Sequence, residues 1–232
     1  MEGFLLIDKP EGITSHDVVN RVRRITGEKR VGHAGTLDPF ATGLLVVGVG
    51  RMATKEMSKL VGLDKRYEAE FVLGAESDTD DRTGKIVPVL PLSKEELEGV
   101  RVETALKPFI GTIQQLPPTY SAIKIGGKKM YEAAREGKPL EAKLRTVTIY
   151  SITDIVVNNS TISLSIHCST GTYIRSIARD LGRNLGVGGY VGELRRTSIG
   201  PFTIQEAVTI DFLKEHGAEQ SLIPVQTLLT RL

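Results

Sequence analysis

The chain has 232 residues, 40% of them hydrophobic and 25% charged, with a formal net charge of +2. That length suits one large domain, or a domain with a small appendage, around a real core, while so small a net charge cannot alone argue for a nucleic-acid partner. Cys168, the single cysteine, excludes an internal disulfide framework, and His16, His33, His167 and His216 are too scattered to suggest a metal site, so no metal is expected. No stretch approaches a transmembrane span, and the apolar run that starts at Gly3 lacks the basic start and length of a signal peptide. The expectation is a soluble, cytoplasmic protein with no membrane partner.

The charge is unevenly spread. Arg21, Arg23, Arg24, Lys29 and Arg30 stand against Glu28 alone, and residues 121–145 hold seven Lys or Arg against three Glu. Residues 68–81 hold six acidic side chains and no basic one. Such a molecule could steer a polyanion to one side, although clusters of this size are also common as solvated faces.

In chain order, residues 3–9 read as a strand and Pro10-Glu11-Gly12 as a turn. Thr14 or Ser15 caps a helix over about 16–25, with Val18, Val22 and Ile25 on one stripe and Gly27 at its end. The stretch Gly32 to Leu45 then places a single carboxylate, Asp38, in a glycine-punctuated loop, with Pro39 restricting Asp38 to extended backbone. Leu44 to Val49 follows as a strand buried on both faces. Asp38 would sit on a shaped loop beside a rigid strand, a good place for a reactive group, but Asp-Pro is also an ordinary turn starter and spacing leaves both readings open. The glycines do not complete G-x-G-x-x-G. Gly84-Lys85 and Gly127-Lys128 also lack the first glycine of a Walker A loop, so no nucleotide cofactor is expected.

Residues 65–73 alternate, with Tyr67, Ala69, Phe71 and Leu73 on one face and Glu68 and Glu70 on the other. Asp78 to Asp81 reads as a turn or hairpin, since Arg82 and Thr83 break a calcium-loop pattern. Ser93-Lys94-Glu95-Glu96 is a capping box for a helical region reaching about Phe109, and Gln114 to Lys124 begins as a stiff loop. Gly126-Gly127 marks a turn, a helix covers 129–136, and two strands pair around Asn158-Asn159-Ser160. A helix after Thr172 buries Ile174, Ile177, Ala178, Leu181 and Leu185, with Arg175, Arg179 and Arg183 as a stripe on another face. Arg175 lies in the first turn, where the helix dipole disfavours a cation, so it needs an anion or a functional reason. A strand and turn over 189–204 and an amphipathic piece from Ile223 complete the chain. Hairpins and helices without strict alternation give an α+β class.

Together and in this order, Gly3 to Pro10 with Gly12-Ile13-Thr14-Ser15, Val31 to Leu45, Lys65 to Gly74, Gln115 to Gly137, Gly171 to Gly182 and Leu194 to Phe202 resemble the TruB family of tRNA pseudouridine synthases. The resemblance covers nearly the whole chain to about residue 210. It implies a mixed, largely antiparallel sheet flanked by helices, a catalytic domain over 1–222 with a basic RNA-clamping insertion at about 114–144, and a short C-terminal remnant, 223–232, where relatives commonly continue into a small RNA-binding domain. The implied reaction turns one uridine of the tRNA T-arm loop, usually numbered 55, into pseudouridine without a cofactor. Asp38 matches the catalytic aspartate, Arg175 the arginine that pairs with it, and Tyr67 the tyrosine that stacks on the uracil. His33 matches the histidine that takes the place of the flipped base, Tyr173 a pocket-lining tyrosine, and Lys9 the N-terminal motif near the cleft, with Gly35 and Thr36 beside the substrate. Lys124, Lys128, Lys129, Arg135 and Arg179 are expected to touch RNA phosphates. The expected partner is the T-arm stem-loop of tRNA, bound by a monomer. The alternatives are a non-catalytic tRNA-folding module, which would not need Asp38, Tyr67 and Arg175 together, and a synthase acting on ribosomal RNA with a guide RNA.

Overall fold

The computed structural model describes residues 1–89, 99–121, 123–138 and 140–232. The capping box at Ser93 to Glu96 lies outside them. The chain opens with Gly3–Lys9 (β1), Ser15–Thr26 (α1), Val31–Ala34 (β2), Thr42–Val49 (β3), Gly50–Val61 (α2) and Lys65–Leu73 (β4). It continues through Ala75–Ser77 (β5), Ile86–Pro88 (β6), Gly99–Leu106 (α3), Gly111–Gln115 (β7), Lys124–Ile125 (β8), Lys128–Lys129 (β9) and Met130–Arg135 (α4). Arg145–Asn158 (β10), Thr161–Cys168 (β11), Ile174–Leu185 (α5), Gly189–Ile199 (β12), Phe202–Thr203 (β13), Ile210–His216 (α6) and Val225–Leu229 (α7) follow. The class is α+β with a mixed, largely antiparallel sheet. The chain divides into two compact units, residues 1–68 with 194–232, and residues 69–193.

In the first unit β3 is the central strand. One edge pairs antiparallel with β1, from Gly3↔Val49 to Lys9↔Gly43. Its other edge changes partner: Val46 to Val49 pair antiparallel with β2, whereas Thr42 and Gly43 pair parallel with Arg195 and Arg196 of β12. Leu5, Ile7, Leu45, Val47 and Val49 pack against Val18, Val19 and Val22 of α1 and Ile210 and Leu213 of α6. Phe4, Leu6, Leu44 and Val46 face the other way, onto Ala53 and Leu60 of α2, Phe202 of β13 and Leu228 of α7. The continuous apolar run of β3 is thus buried on both faces, as its composition predicts. Helix α1 starts in a reciprocal capping box between Thr14 and Asp17 and ends at Gly27 in the left-handed conformation.

Several elements depart from the sequence expectation. Val31–Ala34 is a strand rather than part of the loop, because its backbone groups find the free edge of β3. Helix α2 and strand β7 come from stretches to which the sequence reading assigns no such element: α2 is amphipathic and buries Ala53 and Leu60 in the core, and β7 is held at the β10 edge.

In the second unit the strand order is β4-β11-β10-β7, with β10 antiparallel to both β11 and β7. The alternation of β4 is seen directly, with Ala69, Phe71 and Leu73 buried. Strands β5 and β6 form the hairpin expected around Asp78 to Asp81, and the turn expected at Gly126-Gly127 joins two short strands, β8 and β9, that the sequence does not announce. Helix α5 lies against the backbone of Gly188 and Gly189, a closeness that requires Gly182 on its surface.

Candidate active site

Asp38 lies on the loop that leaves β2 and enters β3, at the point where the β3 edge passes from β2 to β12. The loop is anchored from below: Leu37, Phe40 and Ala41 are buried, and Ala41 N donates to Asp38 O at 3.1 Å. The buried hydroxyl of Ser15 accepts from Leu37 N at 2.9 Å and donates to Leu37 O at 3.1 Å. Gly12 N donates to Pro39 O at 2.9 Å. Asp38 itself is half-buried while Thr36 and Pro39 beside it are exposed, so the loop offers its carboxylate without giving up its footing.

Two buried cations hold the loop backbone. Lys9, 0% exposed, donates from Nζ to Pro10 O at 2.9 Å, Ile13 O at 2.8 Å and Pro39 O at 3.3 Å. Arg196, 1% exposed, donates from Nε to Leu44 O at 2.8 Å and from Nη2 to Gly35 O at 3.0 Å. Burial pushes the Lys9 ammonium down to about 8, against the pull of Asp38 in the opposite direction. The resemblance puts Lys9 near the substrate; its hydrogen bonds go to backbone carbonyls of the turn after β1 and, through Pro39 O, of the Asp38 loop. The sequence offers Ser15 as a candidate helix cap and Arg196 only as part of a motif, because a side chain that bonds to a distant carbonyl leaves no periodic signal.

His33 stands on β2 opposite Val47 of β3. It is half-buried, and its Nδ1 has no hydrogen-bond partner among the described residues. Burial lowers its pKa, and the Arg196 and His16 charges lower it further, which favours the neutral ring. Tyr67 is 9% exposed on the buried face of β4, as the alternation predicts. Gly35, with φ of +79°, receives the Arg196 guanidinium close to its Cα.

Within the second unit, Arg175 is buried in the first turn of α5. Its Nη1 donates to Thr79 O at 2.8 Å and lies 3.6 Å from Asp81 Oδ2, and its Nη2 donates to Tyr120 O at 2.9 Å. The anion that the helix position demands is present in Asp81. Tyr173 precedes α5, and the buried Gln115 grips its backbone twice: Oε1 accepts from Tyr173 N at 2.8 Å and Nε2 donates to Tyr173 O at 3.0 Å.

Of the residues expected to reach RNA phosphates, Arg135 is exposed, its guanidinium 5.6 Å from the Tyr131 ring centre. The side chains of Lys124, Lys128 and Lys129 lie outside the described residues. Arg179 departs from the expectation. It is 8% exposed and its guanidinium is committed to Asp80 Oδ2 at 2.9 Å, Asp180 Oδ1 at 2.8 Å and Leu116 O at 2.9 Å. The four-residue spacing of the arginine stripe identified a shared face but not what packs over it. Only Arg183 of the three is largely solvated.

Among the described residues no three His, Cys, Asp or Glu side chains gather as a metal site, and no helix is long and apolar enough to cross a membrane. Comparison with known proteins gives consistent matches. The TruB family pseudouridylate synthase (N terminal domain) family matches residues 23–174, and the tRNA pseudouridylate synthase B C-terminal domain family matches residues 175–230. The chain is 49% identical over 220 residues to a tRNA pseudouridine synthase B of Corynebacterium jeikeium, covering 92% of this chain and 71% of that protein. It is 44% identical over 232 residues to the tRNA pseudouridine synthase B of Thermobifida fusca, covering 97% and 77%. Its fold is similar to a chain in the crystal structure of a Cbf5-Nop10-Gar1 complex, with a TM-score of 0.73 and 29% identity, covering 99% of this chain and 62% of that one. The chain that carries Asp38 on this braced loop belongs to the TruB family of pseudouridylate synthases.

Proposed function

We propose that this enzyme converts the uridine at position 55 of the tRNA T-arm loop into pseudouridine, with Asp38 as the carboxylate that opens the N-glycosidic bond. As a tRNA pseudouridine synthase it isomerises uridine: the N1–C1′ bond breaks, a C5–C1′ bond forms, and the proton on C5 leaves as N1 gains one. The observation that carries the reading is the half-buried Asp38 on a loop fixed by the fully buried Lys9 and Arg196. A carboxylate that forms and releases a bond must be held still, and backbone anchoring does this without using the carboxylate itself.

A uridine stacked in a folded loop is reached only by flipping it out, at a cost of a few kcal/mol. In our reading His33 stacks where the base had been, a task suited to a planar ring held neutral by burial and by the positive charge of Arg196. Tyr67 stacks on the uracil, Arg175 keeps Asp38 ionised, and Tyr173 lines the pocket while Gly35 and Thr36 lie against the substrate. The basic segment 114–144, with Arg135 exposed on it, holds phosphates of the T-arm without reading their sequence. The curated relatives are named for a tRNA reaction, which supports tRNA as the substrate, and we assign the activity to a cytoplasmic monomer.

Mapping pseudouridine at single-nucleotide resolution in an unmodified tRNA transcript tests the assignment. Conversion at position 55 alone, abolished by a uridine-to-cytidine change there, is expected. Conversion elsewhere in tRNA, or only in ribosomal RNA, would overturn it.

A further inference from the structure

Helix α5 buries two arginine side chains, Arg175 and Arg179, one turn apart, with residue exposures of 3% and 8%. Two like charges buried at this spacing need compensation. It comes from consecutive residues of the β5–β6 hairpin, with Asp81 3.6 Å from Arg175 and Asp80 2.9 Å from Arg179, and from Asp180 of α5 itself, 2.8 Å from Arg179 Nε. Presenting both carboxylates to one helix puts Asp80 at φ of +59°, a left-handed conformation that glycine would adopt far more readily. The turn is fastened to β12, where Val191 N donates to Asp80 O at 3.1 Å and Arg82 N to Val191 O at 2.9 Å.

The two arginines make parallel attachments. Arg175 bonds Thr79 O in the hairpin and Tyr120 O in the segment after β7. Arg179 bonds the Asp80 carboxylate in the same hairpin and Leu116 O in the same segment, and Ser176 Oγ adds a second donor to Leu116 O at 2.8 Å. The spacing between the walls on either side of the Arg175 guanidinium is therefore set one turn further along the helix. Burial pushes the Asp80 carboxyl up, while Arg179 and Arg175 pull it down, so its charge depends on this pairing.

We propose that Asp80 and Arg179 are a positioning pair that fixes the Arg175 guanidinium for isomerisation, and that Arg179 does not contact RNA. This rests on the reading of Arg175 given above. The pair acts through the two walls it joins, so its loss should slow the reaction while leaving RNA affinity intact.

The test measures single-turnover pseudouridine formation at saturating T-arm RNA, RNA Kd and thermal midpoint for Asp80→Gly, Asp80→Asn, Arg179→Lys, Arg175→Lys, and Arg175→Lys combined with Asp80→Gly. Asp80→Gly keeps the left-handed turn and removes only the carboxylate, so it separates positioning from folding. The expected result is a roughly 10- to 100-fold slower reaction for Asp80→Gly and Arg179→Lys, Kd within about twofold, and little further loss when Asp80→Gly is added to Arg175→Lys. An unchanged rate in a folded Asp80→Gly variant overturns the pairing role. A weaker Kd with an unchanged saturating rate in Arg179→Lys makes Arg179 an RNA contact and also overturns it. If Arg175→Lys itself reacts at the wild-type rate, the reading of Arg175 fails, separately from the pair.

Discussion

Ser15 and Leu37 exchange two hydrogen bonds across 22 residues of chain: the Ser15 hydroxyl accepts from Leu37 N at 2.9 Å and donates to Leu37 O at 3.1 Å. The start of α1 thereby fixes the residue immediately before Asp38. Removing the hydroxyl leaves a buried donor and acceptor unsatisfied, so Ser15→Ala should lose about 1–3 kcal/mol of stability. Activity should fall about tenfold at a temperature where the variant is fully folded, because the carboxylate loses its fixed approach. Denaturant unfolding and single-turnover kinetics check the two effects independently.

Gly43 of β3 lies directly against the backbone of β12. A Cβ there would lie 2.7 Å from Arg196 N and closer still to Arg196 O, at a φ of +103°. Gly43→Ala should therefore cost about 2 kcal/mol or more and shift Arg196, which holds Gly35 O. Gly12→Ala has an equally left-handed backbone, φ +81°, and open space around it, so it should cost less. Thermal melts of the two variants side by side measure the difference due to the strand contact.

Lys9 gives a pH signature. Its folded pKa of about 8 lies below the reference value of 10.5, so between these values the unfolded chain holds more protons than the folded one. Stability from this group therefore rises from pH 8 toward pH 10.5, by up to about 3 kcal/mol. Lys9→Met, which removes three donated hydrogen bonds, should be less stable at pH 7 by about 1–3 kcal/mol, and the gap to wild type should widen with pH. Unfolding free energies at pH 7 and pH 9.5 measure this directly.

His33 predicts the opposite limb. Its pKa is lowered in the fold, so as pH falls below 6.5 the unfolded chain takes up a proton before the folded one does. Its contribution to stability is lost across that window as pH falls. His33→Gln should flatten the acid side of the stability profile below pH 6.5 and, if the ring substitutes for the flipped base, should raise KM or slow the reaction more than it destabilises the protein.

Much of this protein is legible where a single element carries its own period. The alternation of β4 places Tyr67, the stripe of α5 places Ile174 to Leu185, and the capping residues of α1 set its start within a residue. Asp38 stood out because glycines and a proline shape its loop, although spacing alone could not separate a reactive group from a turn. What stayed hidden depends on partners far along the chain. The sequence shows no long-range partner for Arg179 because Asp80, which pairs with it, is 99 residues away. Lys9 and Arg196 hold carbonyls, and carbonyls are the same at every position. Strand β2 was invisible inside a glycine-rich stretch because its strandness is supplied by the edge of β3.

Nucleoside analysis of an unmodified T-arm hairpin after a single turnover with wild type and with Asp38→Asn shows whether the Asp38 carboxylate performs the isomerisation on this braced loop. Wild type should give stoichiometric pseudouridine, and Asp38→Asn should lose about 10³-fold or more in rate with hairpin affinity retained. An Asp38→Asn variant that forms pseudouridine within tenfold of the wild-type rate would contradict that role.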